Sequence, residues 1–163
     1  MTPPIQEEVL SPEELKEAFK EDLPKGAALA IKLHNELLTS INAYEENLDA
    51  LTPFQIAKLE HYYNRAEREA WKIAGYYKSQ YQFYFGRAST ERGQSYIYER
   101  ETNKRAINDS NYASRIKEGI NLEKSGIYEG YYVTWKGIAV SYQGMQNTLK
   151  DMIKAIKKED GEQ

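Results

Sequence analysis

Histidine and cysteine, the side chains most readily turned to acid–base or nucleophilic chemistry near neutral pH, are scarce in this sequence. It has two histidines, His34 and His61, and no cysteine. That excludes disulfides, thiolate nucleophiles and cysteine metal ligands. His34 falls on an apolar helical line, and His61 sits beside Tyr62 and Tyr63. The two are not at metal-ligand spacing, and no Glu precedes either by three residues, as a carboxylate-bridged metal site in a helical bundle requires. Phosphate-loop, dinucleotide-glycine, zinc-protease and nucleophile-elbow motifs do not occur. The residues point to a protein that is not an enzyme, with no catalytic residues, no metal and no cofactor.

What is abundant is positive charge interleaved with aromatic rings. From Lys58 onward run Arg65, Arg68, Trp71, Lys72, Tyr76, Lys78, Tyr81, Tyr84, Arg87, Arg92, Tyr96, Tyr98, Arg100, Lys104 and Arg105. Cations attract phosphates, and aromatic faces stack on unpaired bases, so this pattern suits a single strand better than a duplex. The chain has 14 tyrosines and a net charge of −3, unevenly spread. Residues 1–53 carry net −7, residues 54–117 net +5 and residues 118–163 net −1. Glu67, Glu69, Glu91, Glu99 and Glu101 interrupt the basic run. The alternative is therefore that these cations pair along solvated helix faces.

The elements that must position these residues are helical. Ser11-Pro12-Glu13-Glu14 has the form of a helix start within an acidic arm, residues 1–25. A single helical domain, 26–163, is expected to follow. A helix over about 26–49 carries Ala30, His34, Leu37, Ile41, Tyr44, Leu48 and Leu51 on one line. Thr52-Pro53-Phe54-Gln55 then has the form of a capping box. The next helix has Ile56, Tyr63, Ala70, Tyr77 and Tyr84 seven apart, with Leu59, Ala66 and Ile73 between them. This is a coiled-coil-like seam, and Gly86 is expected to end it. The two helices form a hairpin over 26–86. Residues 87–118 are polar with weak periodicity, which predicts a basic connector of loop and irregular helix, with Tyr96-Ile97-Tyr98 as a short strand or helical turn.

The clearest pattern belongs to a long amphipathic helix over 119–158. Tyr128, Tyr131, Trp135, Ile138, Tyr142, Met145, Leu149, Met152 and Ile156 alternate by three and four. Beside them stand Gly119, Gly126, Gly130, Gly137 and Gly144. A glycine costs about 1 kcal/mol against alanine in a helix interior, so glycines in register predict close approach of another backbone. A helix with one aromatic and one small face needs two neighbours, and a symmetry mate is the natural second. Tyr131, Trp135, Gly137, Ile138, Tyr142, Gly144, Met145 and Leu149 are thus the candidate oligomerisation residues of an all-α homo-oligomer.

The length fits one domain. No apolar run is long enough for a membrane span, and the N-terminus lacks the basic and apolar regions of a signal peptide. The expected location is the cytoplasm.

The order of elements around Tyr84-Phe85-Gly86-Arg87 resembles the phage recombination-mediator family of the UvsY type. A helical hairpin ends in an aromatic-x-Gly-Arg element. A basic connector follows, then a long helix ending in Ile153-Lys154 and Ile156-Lys157. The resemblance covers roughly residues 55–157. It implies a small cytoplasmic helical oligomer, without catalytic activity, that binds single-stranded DNA. It implies as partners a RecA-like recombinase and the single-strand-binding protein from which the strand is handed over. By position, Arg87, Arg92, Arg100, Lys104 and Arg105 would contact phosphates. The connector is longer than the family pattern, and residues 1–25 match nothing in it. The rival reading is an oligomeric helical scaffold or adaptor that binds only protein.

Overall fold

A computed structural model describes residues 25–161. Among them are three helices and no strands: α1 (Lys25–Glu45), α2 (Pro53–Glu101) and α3 (Ile107–Gly161). A short 3-10 turn, Leu48–Ala50, separates α1 from α2. The acidic arm and its helix start at Ser11 lie outside the described residues, Lys25 excepted.

The capping box at the start of α2 forms. The Gln55 amide N–H donates to Thr52 Oγ1, and the Thr52 amide N–H donates to Gln55 Oε1 at 2.8 Å. Four boundaries differ from the sequence expectation. The first helix stops at Glu45 instead of about 49. α2 does not stop at Gly86 but continues to Glu101. Residues 87–118 are not an irregular connector: they are helical on both sides of a turn at 102–106, and Tyr96, Ile97 and Tyr98 lie within α2. The last helix accordingly starts at Ile107 instead of 119. Gly86 is carried through because Tyr84 and Ala88 on either side of it are both buried. Their burial outweighs the roughly 1 kcal/mol that an interior glycine costs. At the turn, Lys104 takes a left-handed conformation, φ 54°, and Arg100 Nη1 donates to the Arg105 carbonyl at 2.6 Å.

The contacts divide the chain into two units. In the first, α1, residues 53–73 of α2 and residues 136–161 of α3 share one core. Leu37, Ile41, Ile56, Leu59, Tyr63, Ala66 and Leu149 are buried in it, so the seven-residue seam read from sequence faces inward here. His34 is fully buried, with Nε2 hydrogen-bonded to the Tyr142 hydroxyl at 2.8 Å. The Tyr63 hydroxyl donates to Glu45, and its ring centroid lies 5.5 Å from that of Tyr142. Gln146 Nε2 donates to Glu67 at 2.7 Å, and Lys150 pairs with Glu60 at 3.6 Å.

The second unit is a helical hairpin of α2 residues 74–101 and α3 residues 107–135. Near residue 77 its seam is aromatic. Tyr77 stacks on Tyr131 with centroids 5.2 Å apart, and Tyr84 stacks on Tyr128 at 5.5 Å with planes 4° apart. Toward the turn the seam becomes polar: Ser110, Ser114, Asn121 and Ser125 are buried. Ser125 Oγ donates to the Tyr81 carbonyl, Asn121 Nδ2 to Glu91 at 2.8 Å, and Arg92 pairs with Glu118 at 3.1 Å. The buried Tyr77 hydroxyl has no hydrogen-bond partner among the described residues, and burial pushes its pKa upward, with Tyr76 and Tyr131 adding to the effect. A buried unpaired hydroxyl costs about 1–3 kcal/mol. Tyr77→Phe is therefore expected to leave stability unchanged or to raise it by about 1 kcal/mol, read from urea unfolding midpoints; a loss above about 1 kcal/mol would disprove this account.

Candidate nucleic-acid interface

In the second unit, the groove between the two helical segments holds a cleft of about 180 Å³ lined by Tyr84, Arg87, Glu91, Lys117, Ile120, Asn121 and Lys124. Three cations and one carboxylate meet there, an excess of two positive charges. Helical periodicity brings them together. Arg87 and Glu91 are one turn apart on α2, while Lys117, Asn121 and Lys124 follow at steps of four and three on α3. Lys124 Nζ stands 5.1 Å from the centroid of the Tyr84 ring, a cation–π contact. Glu91 is held below the usual carboxylate range by the Asn121 side-chain amide and then by Arg87. It therefore stays charged and anchors Arg87 within the cleft.

A larger groove of about 580 Å³ adjoins it, sharing Glu91 and Lys117 and lined also by Gln94, Ser95, Tyr98 and Glu99. The Tyr98 side chain is exposed there. Phosphate-seeking cations thus stand next to an available aromatic face, the combination that a single strand requires.

The other candidate residues are distributed differently. Tyr84 is buried in the aromatic seam, so its ring is not a stacking platform, contrary to the sequence expectation. Tyr96 is half-buried on α2. Arg92 pairs with Glu118, and Arg105 pairs with Glu99 at 3.0 Å. Arg100 is engaged with the turn carbonyl, and Lys104 is the left-handed turn residue. In the first unit, Lys58, Arg65 and Lys72 recur every seven residues with Arg68 among them, all exposed on the outward side of α2. Lys72 pairs with Glu69 at 2.8 Å; Arg65 and Arg68 make no ion pair among the described residues.

Reading the sequence missed Lys117 and Lys124. Their seven-residue spacing, in register with Ser110, Ser114, Asn121 and Ser125, was the signal available, hidden because the inward positions there are polar.

Most of the aromatic line of α3 is spent within the chain. Leu149 is in the first unit's core with Tyr142 and Met145 packed against it, Ile138 is half-buried, Trp135 is buried, and Tyr131 stacks on Tyr77. Gly137 and Gly144 face outward. A Cβ built on either, or on Gly119, Gly126 or Gly130, would meet nothing within 4 Å among the described residues beyond its own helix backbone. The close backbone approach expected of these glycines is not made among the described residues.

Among the described residues no three His, Asp or Glu side chains are grouped to hold a metal ion, and no helix is long and apolar enough to cross a membrane. No protein-family profile, curated protein or solved structure matches the chain.

Proposed function

We propose that this protein is a single-stranded-DNA-binding recombination accessory of the UvsY type. In this reading it works in the cytoplasm as a homo-oligomer and helps a RecA-like recombinase take over strands held by single-strand-binding protein in phage recombination and repair. The observation that carries the DNA-binding part is the cleft in which Arg87, Lys117 and Lys124 converge beside the exposed Tyr98 groove. Three cations against one carboxylate offer a track for a phosphate backbone without reading base edges. The exposed cations Lys58, Arg65 and Arg68 on α2 offer further phosphate contacts. The partners and the handover role rest on the family resemblance.

The test is fluorescence anisotropy of a labelled single-stranded oligonucleotide at low and moderate salt, with a duplex of the same sequence as control. The expected result is binding that prefers the single strand, does not depend on base sequence and weakens as salt rises. Absence of binding at low salt would reject the proposal.

A second reading, a scaffold that binds only protein, is favoured by the outward face of α3. Ile116, Ile120, Ile127, Val133 and Val140 are each between 45% and 66% exposed there, an unusual run of uncovered apolar side chains on one helix.

A further inference from the structure

The outward face of α3 has a layout that selects its own partner. With 3.6 residues per turn, Gly119, Gly126, Gly130, Gly137 and Gly144 fall opposite the buried positions Asn121, Tyr128, Trp135, Ala139 and Gln146. Apolar side chains rise on both sides of this glycine floor, Leu122, Val133 and Val140 along one edge and Ile116, Ile120 and Ile127 along the other. From 125 to 150 no charged residue lies on the face itself. Glu129 and Lys136 border it on the Val133 edge, both exposed and without an ion-pair partner among the described residues.

We infer that this face pairs with the same face of a second copy, antiparallel, about a two-fold axis at Val133. Four juxtapositions follow from that one axis position. Val133 meets the second copy's Val133, Gly130 lies against Gly137, Val140 enters the space left by Gly126, and Glu129 stands opposite Lys136. Antiparallel helices bring like edges together, so the two opposite charges meet and do so twice in the dimer. A parallel pairing would set Glu129 and Lys136 against the other edge, where Ile127 and Ile138 stand, leaving both charges unpaired beside apolar groups. Charge complementarity therefore selects a second copy in this orientation, and the self-complementary pattern is what a two-fold interface demands.

The inference rests on the self-association part of the proposed function and needs no nucleic acid to test. Sedimentation would be measured on the wild-type chain, Glu129→Lys, Lys136→Glu and the double exchange. Each single reversal is expected to raise the dissociation constant about ten-fold by setting like charges opposite each other, and the double exchange should return it to near the wild-type value. Unchanged association in both single variants, or no rescue in the double, would overturn the interface. A wild-type chain that sediments as a monomer at every concentration would overturn self-association itself and leave DNA binding to be judged separately. Because the chain has no cysteine, an oxidised mixture of Gly126→Cys and Val140→Cys gives a second readout. Disulfide-linked dimers containing one of each are expected, since a bridge requires Cα atoms about 5.5 Å apart; their absence also overturns the orientation.

Discussion

Reversing two lysines together, Lys117→Glu with Lys124→Glu, is expected to weaken single-strand binding on the order of a hundred-fold without unfolding the protein. Neither lysine makes an ion pair among the described residues, and both are exposed. The cation–π contact of Lys124 with Tyr84 is at an exposed site and contributes about 0.5–1 kcal/mol. Binding is affected far more. The cleft goes from three cations and one carboxylate to one cation and three carboxylates. Each lost phosphate contact removes about one released counterion, and each new carboxylate repels the strand. The salt dependence should therefore flatten by about two contacts as affinity falls. Arg92→Ala is the informative contrast. Arg92 is committed to Glu118, so its loss should touch stability by less than about 1 kcal/mol and leave affinity within about three-fold. A reversal of equal charge away from the cleft, Lys154→Glu with Lys157→Glu, should leave affinity within about ten-fold; an effect equal to that of the cleft reversal would mean that binding follows total charge and that the cleft has no special role.

How much of this was legible in the sequence depended on what filled the inward positions. Where they are aliphatic or tyrosine, as from Ile56 to Tyr84, apolar periodicity identified the buried residues; from Tyr128 to Leu149 it found Tyr128, Trp135 and Leu149 but passed over Ala139 and Gln146, which are buried too. Where serine and asparagine take over, at Ser110, Ser114, Asn121 and Ser125, the spacing of four, seven and four persists but hydrophobicity does not report it. Two helical segments were thus mistaken for a connector. Gly86 misled for a related reason. A glycine reads as a stop when its surroundings are judged locally, whereas the burial of Tyr84 and Ala88 holds the helix through it. The same blindness hid the cleft. Lys117 and Lys124 acquire meaning only once α3 is known to begin at Ile107 and to face Arg87 across the hairpin. Tyr84 erred in the opposite sense, because its aromatic face, taken for a stacking surface, is already covered by Tyr128.

His34 makes the first unit sensitive to acid, and the expected size is a loss of about 2 kcal/mol of stability between pH 7.5 and pH 5. Its imidazole is fully buried. Burial lowers its pKa from 6.5 to about 4, against smaller upward pulls from the Asn35 side chain and Glu69. The Tyr142 hydroxyl that it meets has its own pKa pushed up to about 12, by burial first and then by Glu45. That hydroxyl therefore stays neutral and supplies no compensating charge. The sign follows from the depressed value. Above pH 6.5 the ring is neutral in both states, and the contribution is fully present. As pH falls below 6.5 the unfolded chain takes up a proton that the folded chain refuses, and stability drains away until pH about 4. One pKa unit corresponds to about 1.4 kcal/mol, so most of the loss has occurred by pH 5, before aspartate and glutamate titrate appreciably. His34→Gln keeps a polar group near Tyr142 but cannot titrate in this range. Urea midpoints of the two proteins at pH 7.5 and pH 5 should show the wild type losing about 2 kcal/mol more than the variant. Parallel losses would mean that His34 is charged, or exposed, in the folded chain.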